Sequence, residues 1–125
     1  MRPILRVDKY VFIALTEQAE RYLLSLDEGA WKRFDNAARS LVLSFETGRP
    51  AAGRTEKIRN SAPGLFELRI DLAGRPGPQH RLICARDGKR VLCVRGFTKD
   101  QPKLPRGEIE IAAREITAFR RRSPT

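Results

Sequence analysis

Five cationic side chains fall inside or beside one apolar, turn-broken stretch of this chain: Lys57, Arg69, Arg81, Arg95 and Lys99. The stretch from Gly64 to Pro105 reads GLFELRIDLAGRPGPQHRLICARDGKRVLCVRGFTKDQPKLP. A strand with charge in its middle must turn that charge to water, to a counter-ion or to a ligand. Guanidinium groups match phosphate oxygens two at a time, so arginines on neighbouring strands point to a phosphate-bearing ligand. Each residue alone has a plainer explanation: Arg69 has Glu67 and Asp71 two positions away, and long cationic stems cover apolar sheet edges. The group is harder to explain that way. His80 is the single histidine, which excludes a multi-histidine metal site. There is no Gly-rich phosphate loop ending in Lys-Ser or Lys-Thr, and no Ser-His-Asp or Cys-His spacing of a nucleophile. The chemistry left needs no metal and no cofactor, and RNA suits it, because the 2′-hydroxyl is an internal nucleophile. The protein then has to align that oxygen, hold the charge on the phosphate and protonate the leaving 5′-oxygen. Histidine is the natural acid or base near neutral pH, and lysine serves where neighbouring cations favour its neutral form. His80 and Lys99 therefore compete as proton donor.

These residues need a sheet to hold them. Alternation over residues 65–72 puts Phe66, Leu68, Ile70 and Leu72 on one side of a strand, with Leu65, Glu67, Arg69 and Asp71 on the other. Ala73–Gln79 is a turn, and strands over His80–Arg86 and Arg90–Phe97 follow. Asp87-Gly88 between them predicts a two-residue hairpin loop. That loop sets His80 opposite Arg95, Leu82 opposite Cys93 and Cys84 opposite Val91, which turns Arg95 away from Arg81. It leaves the two cysteines diagonal, ~7–8 Å apart, too far for an easy disulfide.

Upstream, Tyr10–Leu15 is β-branched and aromatic and reads as a strand. Thr16 caps a helix whose apolar positions are Ala19, Tyr22, Leu23 and Leu26. Asp27-Glu28-Gly29 turns the chain into a second helix with Ala30, Phe34, Ala37, Leu41 and Phe45 on one stripe, ended by Gly48 and Pro50. Residues 1–9 read as an arm that either adds a strand or stays loose, and 49–63 as a loop. After a polar loop over Thr98–Leu104, Pro105 opens a last helix with Ile109, Ala112, Ala113, Ile116 and Phe119 on its apolar side. The expected fold is α+β, one domain over residues 1–125, in the order β-α-α-β-β-β-α. An antiparallel sheet carries a helical hairpin on one face and leaves the other open for the cations.

Charge is placed unevenly. Residues 1–48 hold 7 Lys+Arg against 7 Asp+Glu, and residues 49–125 hold 18 against 8, so the whole excess of +10 lies in the second part. A basic face of this kind favours a polyanion. No apolar run reaches the ~18 residues of a membrane span. The start, MRPILRVDKYVFIAL, lacks a small-residue cleavage site and is not read as a signal peptide. A cytoplasmic protein without a membrane partner is expected, and Cys84 and Cys93 are expected as buried, reduced thiols.

The ordered series EKI, GLFELRID, HRLICAR and VLCVRGFTKDQPKLPRGEIEIA resembles the HigB-like, phage-derived branch of the RelE/ParE toxin superfamily. The matching positions are Lys57, Glu67-Leu68-Arg69, His80-Arg81-Leu82, Gly96-Phe97-Thr98-Lys99, Lys103, Pro105, and Glu108-Ile109 with Ala112. Asp100 stands where that pattern has a second lysine, and His80 where it has an aromatic residue. The resemblance implies a RelE-like fold and the toxin of a type II toxin–antitoxin pair. Such toxins are ribosome-dependent endoribonucleases, held in check by a helix-turn-helix antitoxin, and they meet operator DNA only through that complex. It implies that Arg69 and Arg81 hold the scissile phosphate while Lys57 and Lys99, with His80, assist in charge and proton transfer. Arg59, Arg95, Lys103 and Arg106 are expected as further RNA contacts. A ParE-type toxin that inhibits gyrase, and an inactive antitoxin- or nucleic-acid-binding relative, are the alternatives on the same fold.

Overall fold

The computed structural model describes residues 1–51, 53–71, 79–99 and 105–122. Local signals lay down the helices. Thr16 accepts from the Ala19 N–H at 3.0 Å and starts α1 (Glu17–Leu24). Asp27 accepts from the Ala30 N–H at 2.8 Å and starts α2 (Glu28–Thr47), which Gly48 ends in the left-handed region at φ 73°. Asp27→Ala is therefore expected to lower stability by about 1 kcal/mol. Asp27→Asn, which keeps the accepting oxygen, is expected to change it little, as read from thermal unfolding.

The strands are β1 (Arg2–Val7), β2 (Tyr10–Ala14), β3 (Thr55–Lys57), β4 (Leu65–Arg69), β5 (Gln79–Asp87) and β6 (Arg90–Lys99), and α3 (Arg106–Arg122) follows. They form one six-stranded sheet in the order β1-β2-β6-β5-β4-β3. Here the structure corrects the expected order and the expected all-antiparallel sheet. The arm is a strand: β1 pairs antiparallel with β2 through the Asp8-Lys9 turn, where Asp8 takes φ 52°. Part of the 49–63 loop is β3, paired antiparallel with β4. The pairing of β2 with β6 is parallel. Both of these strands, the first left open by the sequence and the second not expected, are sheet edges, and both carry the polar residues that keep an edge from recruiting another chain, including Arg2, Pro3 and Arg6 in β1 and Glu56 and Lys57 in β3. Such strands show little alternation, so the pattern that reveals inner strands does not reveal them. The turn over Ala73–Gln79 and the end of the Thr98–Leu104 loop lie outside the described residues, apart from Gln79, Thr98 and Lys99, which are in strands.

The hairpin register also differs. Asp87 pairs with Arg90, so the loop is Gly88-Lys89, with positive φ at Gly88 (61°) but not at Lys89. That is the arrangement of a type II′ turn, which needs glycine at its first central position only. Cys84 lies directly opposite Cys93 rather than diagonal to it, and both thiols are buried and free. Burial, reinforced by Cys93, pushes the Cys84 thiol well above its ordinary pKa. A bulge then shifts the pairing between Ile83 and Cys84, so that Ile83 faces Arg95 and Arg81 faces Phe97. Val94 is the extra residue. A bulge moves the next side chain to the other face, and Arg95 therefore shares a face with Arg81, contrary to the expected register.

The sheet has helices on both faces. One face packs Phe12, Leu68, Leu82, Cys84 and Cys93 against α1 and α2. The other packs Ile13, Leu65, Ile83, Leu92 and Val94 against Ala112, Ile116 and Phe119 of α3. The second face is thus only partly open. Beyond the end of β2, α1 takes the place of a neighbouring strand for β6. Thr16 Oγ1 donates to the Val94 carbonyl at 2.9 Å, and the Gln18 amide both donates to the Gly96 carbonyl (2.6 Å) and accepts from the Gly96 N–H (3.0 Å). These bonds satisfy backbone groups that a shorter sheet would leave exposed on β6.

Candidate functional site

On the α3 face, at the end of the sheet that α3 does not cover, the register sets like charges side by side. Glu56 of β3 lies opposite Glu67 of β4, and Arg69 of β4 lies opposite Arg81 of β5. Each such pair is destabilising alone. The diagonals resolve it. Glu67 Oε1 lies 2.7 Å from Arg81 Nε, 3.8 Å from Arg69 Nε and 3.8 Å from Lys99 Nζ. Arg69 Nη2 also pairs with Glu56 Oε2. The Arg81–Glu67 approach is close without the alignment of a hydrogen bond, while Arg81 Nη1 donates to the His80 carbonyl at 2.9 Å.

Burial separates the members. The side chains of Glu67 and Arg81 are 3% and 7% exposed and Lys99 is 11%, whereas Arg69 is 28% and Glu56 60%. Arg69 is the most exposed of the three cations, and Arg81 and Lys99 lie behind it around Glu67. Glu67 and Glu56 are the members that sequence reading did not select. Their signal was present, as a carboxylate two residues before Arg69 and another beside Lys57, but only cross-strand register joins them to one centre.

The other candidates are placed elsewhere. Lys57 is exposed and lies opposite Phe66, which packs on the α1–α2 face, so it points away from the cluster. His80 also belongs to that face. Its Nδ1 lies 2.7 Å from Tyr22 Oη, and the two rings meet edge to face at 5.9 Å. Burial pushes the Tyr22 phenol up, so it keeps its proton, which it donates to the Phe97 carbonyl at 2.9 Å. The His80 backbone N–H donates to Asp71 Oδ2 at 2.5 Å, and Arg33 Nε of α2 donates to Asp71 Oδ1 at 2.6 Å. Asp71 thus ties the helical hairpin to the start of β5.

Arg95 is on the cluster's face but engaged by α3, its Nε 2.5 Å from Glu108 Oε2. Arg59 and Arg106 line a groove of about 770 Å³ between residues 59–61 and α3, with Arg114 as a third cation and Ile109 and the carboxylate of Glu110 also on its wall. These three arginines have no ion-pair partner among the described residues. Lys103 lies outside the described residues. Chemically, the centre offers a partly exposed guanidinium backed by the buried Arg81–Glu67 pair and the mostly buried Lys99, and it can neutralise and orient an anion.

No curated protein matches the chain. A family described as "Phage derived protein Gp49-like (DUF891)" matches residues 21–117. The match runs from within α1 through α2 and the strands that carry the cluster into α3. No helix among the described residues is long and apolar enough to cross a membrane. By that match over most of its length, the chain belongs to the Gp49-like family of phage-derived proteins.

Proposed function

We propose that this protein is the toxin of a type II toxin–antitoxin pair and cleaves mRNA on the ribosome without a metal. The observation that carries the reading is the cation centre on the α3 face of the sheet, where Arg69 is partly exposed and Arg81 and Lys99 lie behind it, all three within ion-pair reach of Glu67. Membership of a phage-derived family and the resemblance of its motifs to HigB-like toxins support it. In this reading Arg69 holds the scissile phosphate. The 2′-oxygen–phosphorus bond forms as the bond to the 5′-oxygen breaks. The 2′-hydroxyl proton leaves to solvent, and Lys99 protonates the 5′-oxygen. Lys99 is preferred over His80 as the donor because His80 faces the other side of the sheet and is engaged by Tyr22. Arg59, Arg106 and Arg114 carry the flanking RNA along their groove. A helix-turn-helix antitoxin from a neighbouring gene neutralises the toxin, and operator DNA is met only by the complex. The protein acts in the cytoplasm.

Expression should arrest growth and leave codon-positioned cuts in translated mRNA. Arg69→Ala is expected to cut the cleavage rate by about 10²–10³-fold, the usual loss on removing one oriented charge-stabilising donor. Lys99→Ala should do the same, and His80→Ala should keep most of the activity. Growth arrest that survives Arg69→Ala would remove the assignment. DNA-damage signalling without mRNA cleavage would select gyrase inhibition instead, and antitoxin binding without arrest would select an inactive relative.

A further inference from the structure

The cation centre already holds anions of its own, and the two are not equivalent. Glu67 is buried, within ion-pair reach of Arg81, Arg69 and Lys99 at once. Glu56 is 60% exposed, stands on the three-residue edge strand β3, and pairs with the outer Nη2 of Arg69.

We propose that Glu56 is a displaceable resident counter-ion: it covers Arg69 when the site is empty, and a phosphate or phosphodiester takes its place on the same guanidinium edge. Three features favour exchange at Glu56 and not at Glu67. Carboxylate and phosphate oxygens satisfy the same guanidinium donors, so one can replace the other without moving Arg69. An exposed ion pair is held weakly and its carboxylate returns to water at little cost, whereas withdrawing Glu67 would strand the buried Arg81 charge. Finally, Glu56 lies directly opposite Glu67, so the two carboxylates repel once Arg69 is shared with a third anion. Glu56 thereby lowers the affinity of the centre for any lone phosphate. A ligand then needs contacts outside the centre to hold on, which selects a polymer over free phosphate. The identity of the natural ligand as RNA rests on the function proposed above; the anion exchange does not.

The test is a titration of the protein with inorganic phosphate, following the arginine side-chain Nε–H signals by NMR. The wild type should bind weakly with the Arg69 signal shifting. Glu56→Gln should bind about two- to fivefold more tightly, the range set by the strength of an exposed ion pair. Arg69→Ala should lose the site. Glu17→Gln, which removes an exposed carboxylate on α1, should leave the affinity unchanged. Unchanged or weaker binding by Glu56→Gln overturns the proposal. An equal gain with Glu17→Gln overturns it too, since net charge would then be the cause. Phosphate exchange at Arg69 in a protein that never cuts mRNA would sink the proposed function and leave this inference standing.

Discussion

Glu67→Ala is expected to destabilise the protein by about 3–5 kcal/mol, the usual loss when one partner of a buried ion pair is removed. The native state of a domain this size is worth only about 5–15 kcal/mol, so much of the variant would be unfolded or degraded in cells. The expectation follows from what Glu67 neutralises. Arg81 is 6% exposed and sits directly opposite Arg69, and Lys99 also approaches the same carboxylate oxygen. Without Glu67, three cations would face one another, with Arg81 and Lys99 largely shut off from water. Glu67→Gln should fall between, because it keeps the shape and loses the charge. Glu67→Leu combined with Arg81→Met should recover much of the loss, since a buried pair is often replaceable by apolar residues of similar volume. That double variant should nevertheless have no cleavage activity, because Lys99 and Arg69 would lose their common anchor. Urea unfolding of the four proteins, together with the cleavage assay, reads both effects. A Glu67→Ala protein within about 1 kcal/mol of the parent, below any buried pair's cost, would show that the carboxylate does not organise the centre.

Gly96→Ala is the second large effect, with an expected loss of about 3 kcal/mol, the upper part of the usual range for overpacking. A Cβ at residue 96 would lie 2.2 Å from Tyr22 Cδ1, 2.5 Å from its Cγ and 2.9 Å from its Cβ. These atoms belong to the ring and its stem, not to a flexible tip. Tyr22 cannot swing aside freely, because its hydroxyl bonds the Phe97 carbonyl and His80 across the strand. Nor can β6 move back easily, since Gln18 holds Gly96 through two hydrogen bonds. Glycine is needed here for the close approach of an aromatic ring, as its backbone dihedral is not in the left-handed region. The check is a double-mutant cycle with Tyr22→Ala. The cost of Gly96→Ala should largely vanish when Tyr22 is already gone. If it is the same in both backgrounds, the ring is not the obstacle. The effect reaches the site, because β6 runs on from Gly96 to Lys99.

Both expectations concern residues whose motifs were visible in the sequence, in Glu-Leu-Arg and Gly-Phe-x-Lys, but whose physical roles were not. The helices were legible because their causes are local. Apolar spacing placed Ala30, Phe34, Ala37 and Leu41 on the buried side of α2, and Thr16, Asp27 and Gly48 act within a few residues of where they stand. The inner strands were legible for the same reason, since alternation along Leu65–Arg69 already separates Glu67 and Arg69 from Phe66 and Leu68. The presence of cationic residues inside the strands could likewise be read directly.

Which of these residues share one centre was decided only by tertiary structure. Side chains alternate every residue along a strand, so a shift of one position in pairing moves a residue to the other face. The bulge at Val94 brings Arg95 round to the side of Arg81, and nothing local to β6 announces it. The edge strand β3 sets Glu56 beside Glu67 and turns Lys57 away, although both belong to one tripeptide. His80 and Arg81 are neighbours in sequence and face opposite sides of the sheet, one toward Tyr22 and the other toward Glu67. The sequence by itself determined the local elements and a supply of cations. Their convergence on Glu67 depends on pairings between strands far apart in the chain, and those are fixed by the packing of the whole sheet.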